Sequence, residues 1–304
     1  MPIITVFGAT GYQGSSVVEA VLVDRRFTPR AVSRSVESAA SKALIARGVE
    51  VVVANFFNAE SLRNAMQGSE AVFGMTNSWD PDVLAVGPRG EGEVIQGRNL
   101  VDAAKAVGVK FFIWSSYPSA TKESKGLYPN LFHLDNKASI EDYLRASGLG
   151  HAMLLTSWFA ENLWKIGALK KTDTGYDIPI PKFTPKDTQA VTWVAHDLGR
   201  AAVALLTNYT DPMKGVLGNS YPVITMRLTY PELAAAIAKA IGKEVTFTPL
   251  ETAPTAHGNE LFLFLTEIGL YRDTPTPNPD LIALGVQFGS LEEFIHTEVV
   301  PRFA

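Results

Sequence analysis

The 304-residue sequence contains no cysteine. Disulfides, a cysteine nucleophile, thiolate zinc sites, iron–sulfur clusters and thiol redox sensing are therefore excluded, and any redox role must run through a bound cofactor. Histidine is sparse. His133, His151, His196, His257 and His296 are scattered, with no pair at i, i+4 spacing, so no histidine metal site is preformed on a helix and no metal is assigned. An excess of one charge is lacking too: 27 basic against 31 acidic side chains give a net charge of −4. Basic residues are no denser than Arg25–Arg26 or Lys170–Lys171, so direct nucleic-acid binding, which depends on neutralising phosphates, is not expected. Long apolar runs are missing as well. Ile3 to Phe7, Ala152 to Phe159 and Leu261 to Leu265 all fall short of a membrane span, and no secretory signal follows Met1–Pro2. The expected location is cytoplasmic, or nuclear as well, with no membrane contact.

Apolar residues make up 46% of the chain, enough for a packed core, and the length suits about two domains. In the first half, β-rich runs alternate with helical patterns. Strands are expected at Ile3 to Phe7, Thr28 to Ser33, Glu50 to Asn55, Ala71 to Thr76, Lys110 to Ser115 and His151 to Thr156. Helices are expected at Gly14 to Val23, Ser38 to Arg47, Ala59 to Met66, Gly92 to Val107 and Leu134 to Ala146. Gly48, Gly68, Gly108 and Gly148 each follow a helical pattern, where glycine closes the last turn. This alternation predicts an α/β, Rossmann-like doubly wound parallel sheet with a smaller α+β C-terminal lobe. The domain expectation is 1–160 for the nucleotide-binding unit, with later strands returning from 188–226, and 161–304 for an interleaved substrate- or partner-binding lobe.

In that later region, a strand-to-helix passage is expected at Gln189 to Leu206 and a strand at Tyr221 to Met226. Thr229-Tyr230-Pro231-Glu232 reads as a capped helix start. A strand follows at Glu244 to Thr248, then helices near Gly258 to Gly269 and Leu291 to Val299.

The strongest chemical signal is Gly8-Ala9-Thr10-Gly11-Tyr12-Gln13-Gly14, which joins the first strand to the first helix. Gly8 suits the tight turn, Gly11 lets backbone approach a diphosphate, and Gly14 lets the helix pack close to the sheet. The N–H groups around Tyr12 to Gly14 then lie at the positive end of the helix. Where a dinucleotide enzyme using NAD offers an acid to the ribose, the second strand ends Ser33-Arg34-Ser35. Arg34 can fork onto a 2′-phosphate with a serine hydroxyl beside it, so NADP(H) is the expected cofactor. Asn55 and Phe56, at the end of the third strand, are candidates for adenine contact, with a turn and a buried ring as the alternative.

Together, the glycine motif and Ser33-Arg34-Ser35 resemble the atypical short-chain dehydrogenases/reductases, and specifically the NmrA-like family. Gly74-Met75-Thr76-Asn77, Phe112-Ile113-Trp114-Ser115-Ser116, His133-Leu134-Asp135-Asn136-Lys137 and Trp158-Phe159-Ala160-Glu161-Asn162 extend the resemblance, although Thr156 stands where a proline is common. Leu261 to Phe264, Asn278-Pro279 and Gln287 to Phe294 carry it to the tail. The resemblance implies that Thr76, Asn77, Lys137, Phe159 and Asn162 join the cofactor site; Ser115, at the carboxyl end of the fifth strand, faces the ligand or is an ordinary strand-to-loop serine.

Short-chain reductases pair a tyrosine with a lysine four residues later, so that both share one helix face. Here Lys137 stands in the lysine place but His133 occupies the tyrosine place, and Tyr117, Tyr128 and Tyr143 lack the spacing. Lys137 is read as a cofactor clamp, as an acid–base group, or as an exposed helix lysine; His133 is a proton donor or a packing residue. Trp79, Trp158 and Trp164 line a substrate pocket or pack the interlobe core. Two functions stay open. One is an NADP(H)-binding, redox-sensing regulator that works through a protein partner. The other is an NADPH-dependent reductase of a small carbonyl, imine or enone, using Lys137 or His133 in place of the missing tyrosine.

Overall fold

Short runs of branched and aromatic residues flanked by glycine favour strands buried on both faces, and the longer amphipathic runs between them favour covering helices. A computed structural model, which describes residues 1–304, has this arrangement. In chain order the first half forms β1 (Ile3–Val6), α1 (Tyr12–Asp24), β2 (Thr28–Ser33), α2 (Ala39–Ala46), β3 (Glu50–Val53), α3 (Ala59–Met66), β4 (Ala71–Gly74), α4 (Pro81–Val86), α5 (Glu91–Ala106), β5 (Phe111–Ser116), α6 (Ala120–Glu123), α7 (Phe132–Ala146) and β6 (Gly150–Leu155). There follow β7 (Trp158–Phe159), α8 (Asn162–Lys165), β8 (Lys170–Lys171), β9 (Gly175–Pro181), β10 (Thr188–Thr192), a widened π turn at Val194–Leu198 and α9 (Gly199–Asn208). The chain ends through β11 (Ser220–Pro222), β12 (Met226–Thr229), α10 (Tyr230–Ile241), β13 (Glu244–Leu250), α11 (Ala256–Glu267), α12 (Pro279–Ala283), α13 (Leu291–Phe294), a second π turn at Ile295–Val299 and α14 (Val300–Phe303).

Seven strands form the central sheet in the order β11-β6-β5-β4-β1-β2-β3, all neighbours parallel. Strand order reverses between β1 and β4, which makes the crevice beyond their carboxyl ends the place for a ligand. Alternation along β5 divides the core: Phe111 and Ile113 face α1 and α9, whereas Phe112 and Trp114 face the side packed by Leu62, Leu100, Ile140 and Leu144. Each such fully buried large side chain contributes about 1.5–3 kcal/mol.

Two elements of the later chain return to this sheet. β11 adds a seventh strand beside β6, and α9 lies on α1, so close that a Cβ at Gly199 would stand 2.1 Å from the Ser16 carbonyl oxygen. The second lobe carries two three-stranded sheets, β12-β10-β7 and β13-β9-β8. Its core is separate and includes Phe183, Tyr230, Ile237, Phe264 and Phe294.

Two expected elements differ. The single strand over Tyr221 to Met226 is split between sheets: Val223 N–H donates to Leu155 of the central sheet, whereas Thr225 N–H donates to Val191 of the second lobe. The crossover therefore falls between Val223 and Thr225, just past Pro222 at the end of β11. The terminal helix is interrupted by the π turn at Ile295–Val299. No helix is long and apolar enough to cross a membrane.

Candidate functional site

The crevice is built first by backbone. Gly8 has φ +65°, and Gly11 N–H donates to its carbonyl at 2.8 Å, closing the turn that launches α1. A Cβ at Gly14 would stand 2.2 Å from that same carbonyl oxygen, so only glycine lets the helix start this close to the loop. Gly11 is the N-cap and offers no side chain to satisfy the first N–H groups, and the first turn contains no acid. Thr10, Gly11 and Tyr12 are exposed, whereas Gln13 is buried and accepts a 2.5 Å hydrogen bond from the Ser115 hydroxyl. That contact ties the start of α1 to the end of β5. The geometry suits a diphosphate: oriented donors, positive helix potential and no competing carboxylate in the first turn.

Deeper in the crevice, Lys137 projects from α7 and is buried. Its ammonium donates to Glu93 Oε1 at 2.7 Å, to the Thr76 carbonyl at 2.9 Å and to Thr76 Oγ1 at 3.1 Å. Three partners use all three ammonium protons. Thr76 Oγ1 in turn donates to Glu93 Oε1 at 2.7 Å. Glu93 is completely buried, and its other carboxylate oxygen has no hydrogen-bond partner. The exposed-lysine alternative is therefore corrected: the ammonium is buried and paired with a buried carboxylate. Sequence reasoning missed Glu93 because it lies 44 residues from Lys137 and belongs to an ordinary-looking helix.

His133, one turn earlier, does not face this ion pair as a proton donor. Its Nδ1 lies 3.1 Å from Nε2 of His257 on α11, and Trp79 and Phe132 pack around the two imidazoles. Burial first, then His257 and Lys137, push the His133 imidazole down to about 3, so it is neutral near neutral pH. The proton-donor expectation is corrected for that reason. No phenol substitutes for it. Burial pushes Tyr117 up to about 12, burial and the Glu267 carboxylate do the same for Tyr128, and a hydrogen bond to Asp102 raises Tyr143.

At the adenosine end, Arg34 is exposed and ion-paired with Asp80 at 3.2 Å, across the mouth of the crevice. Asp80, the α4 N-cap, was not read from the sequence. The Ser33 hydroxyl is committed inward: it donates to the Ser35 carbonyl and accepts from Ser41. Asn55 Oδ1 accepts from Phe57 N–H, a local turn, and the Phe56 ring packs edge-on against Phe7 at 5.4 Å. Both adenine candidates thus make contacts within the chain, a local turn and a packed ring.

The remaining residues gather where β4, β5 and β7 end. Asn77 is exposed, and its side chain accepts from Trp79 N–H at 3.1 Å. Phe159 sits in β7 beside Thr192 of β10, half-buried against the central core. Asn162 opens α8, and its carbonyl accepts from Ala168. Glu161 is buried and accepts from the N–H groups of Val194 and Ala195, fastening the first π turn; burial raises its carboxyl above the usual range despite those bonds. Trp79 is half-exposed beside the histidines, whereas Trp158 packs on Tyr230 and Trp164 stacks on Phe294.

Comparison with known proteins agrees with this geometry. The NmrA-like family pattern matches residues 2–261. An NmrA-like family domain-containing oxidoreductase of Penicillium ochrochloron is 32% identical over 277 residues, 86% of this chain and 80% of its own. Another from a Cladobotryum species is 38% identical over 162 residues, 53% of this chain and 47% of its own. Among solved structures, NmrA, a negative transcriptional regulator crystallised with NADP, superposes with a TM-score of 0.78 at 21% identity, covering 99% of this chain and 95% of its own. An NADPH-dependent quinone oxidoreductase of Escherichia coli, crystallised with NADPH, gives 0.72 at 23% identity, covering 96% of this chain and 98% of its own.

Proposed function

The chain belongs to the NmrA-like family, and from that premise we propose that it binds NADP(H) across the β1/β4 crevice and reports cofactor occupancy to a protein partner, as a regulator rather than an acid–base catalyst. The observation that carries this reading is the Lys137–Glu93–Thr76 cluster, in which every ammonium proton already has a protein acceptor. A lysine working as a proton shuttle must present its proton to a substrate, and here the ammonium is tied to a carboxylate at 2.7 Å. His133, neutral and packed against His257, offers no imidazolium to act as an acid.

The chain's own residues support the cofactor assignment. The N–H groups that open α1 face the diphosphate, and Gly14 permits the approach. Arg34 exchanges Asp80, a solvent-screened partner, for a 2′-phosphate that its guanidinium can grip at two points. Thr76, Asn77, Ser115, Phe159 and Asn162, at or just beyond the ends of β4, β5 and β7, would hold the nicotinamide end, and Lys137 would reach the ribose there only by giving up one of its three present bonds. NADPH, when bound, supplies a hydride.

A second reading, an NADPH-dependent reductase, is favoured by the name oxidoreductase carried by the Penicillium ochrochloron relative. With no protein group set to donate a proton, such an enzyme would draw it from water. The test is NADPH oxidation against carbonyl, imine, enone and quinone acceptors. The regulatory reading predicts no turnover above background; saturable NADPH oxidation with any one acceptor class would establish the reductase instead.

A further inference from the structure

Lys165, the last residue of α8 in the second lobe, extends back to the glycine loop of the first. Its ammonium lies 3.6 Å from the centre of the Tyr12 ring, and Tyr12 is the first residue of α1. The lysine is exposed and has no ion pair. A cation is ordinarily unfavourable at a helix N-terminus, where the backbone already presents partial positive charge. Here two positive features converge, with no acid in the first turn of α1 and no side-chain cap on Gly11. The one carboxylate nearby on the same segment, Glu161, points away and is spent on Val194 and Ala195.

We propose that Lys165 is the second lobe's contribution to the dinucleotide site: an ammonium that swings from the Tyr12 ring onto the diphosphate and so couples cofactor binding to the position of α8. This rests on the NADP(H) reading above and adds to it a residue outside the glycine loop. The Tyr12 face is a weak resting place at an exposed site, whereas a phosphate oxygen offers a full negative charge, so the exchange runs downhill. Because α8 follows β7 directly and β7 pairs with β10, the ligand would tie the second lobe's sheet to the first lobe's helix. A cation held by a flexible exposed stem is also strongly screened, so its contribution must fade as salt rises.

The test uses the full chain and two ligands. NADPH carries both the diphosphate and the 2′-phosphate, while adenosine 2′-phosphate carries only the latter. Lys165→Met is expected to raise the NADPH Kd about tenfold at low salt, the equivalent of one charge-assisted contact, with a smaller ratio at high salt. Lys165→Arg should restore most of the affinity, and adenosine 2′-phosphate should bind all three proteins equally. An unchanged NADPH Kd in Lys165→Met, or an equal loss for both ligands, overturns the proposal. If the unmodified chain binds neither ligand, the NADP(H) reading itself fails.

Discussion

Taking away the Lys137 side chain would strand the Glu93 carboxylate, completely buried, with no counter-charge. Breaking a buried pair from one side typically costs about 3–5 kcal/mol, whereas replacing both partners with apolar groups of similar size costs far less. Lys137→Met should therefore destabilise the fold strongly in urea titrations, and Lys137→Met with Glu93→Leu should recover most of the loss. Equal stability of the single and double variants would show that the pair carries no such weight. The His133–His257 contact gives a pH signature. The His133 pKa is lowered in the fold to about 3 by burial, His257 and Lys137, and burial lowers His257 as well. Below the ordinary histidine value of about 6.5 the unfolded chain binds more protons, so stability is full above that pH and falls on acidification. The slope approaches about 1.4 kcal/mol per pH unit for each imidazole, and His133→Gln should flatten it. At this scale the sequence was half legible. Lys137 and the missing tyrosine stood in a motif, but Glu93 and His257 meet their partners only through tertiary packing.

Helix ends were the most legible elements, because capping is local chemistry. Gly48, Gly68, Gly108 and Gly148 adopt φ of +81°, +73°, +77° and +81° just past their helices. Thr229 caps α10 as read, and Glu232 bonds back to its N–H at 2.7 Å. Thr229→Ala should cost about 1 kcal/mol. The glycine loop makes a sharper prediction. In Gly14→Ala the new methyl collides with the Gly8 carbonyl, so α1 must shift, at a cost of about 1–3 kcal/mol and with loss of dinucleotide affinity. Retention of both stability and NADPH affinity would refute the close-approach argument. The strand over Tyr221 to Met226 misled for the opposite reason: its apolar pattern is continuous, yet successive N–H groups serve two different sheets, a choice made by distant partners.

For the whole molecule, the regulatory proposal makes cofactor occupancy the signal and a protein partner its reader. The two halves are not independent in sequence, since α9 and β11 return to the first lobe after the second has begun. NADPH at about a hundred times its Kd should stabilise the chain by about 2.7 kcal/mol, and thermal unfolding in its presence should shift upward by several degrees.

The central claim is tested most directly by an equilibrium titration of the chain with NADPH and, in parallel, NADH, followed through nicotinamide fluorescence. The account predicts saturable binding of one NADPH per chain, tighter than NADH, with the preference erased in Arg34→Ala. No saturable NADPH signal, or a preference for NADH, would contradict it.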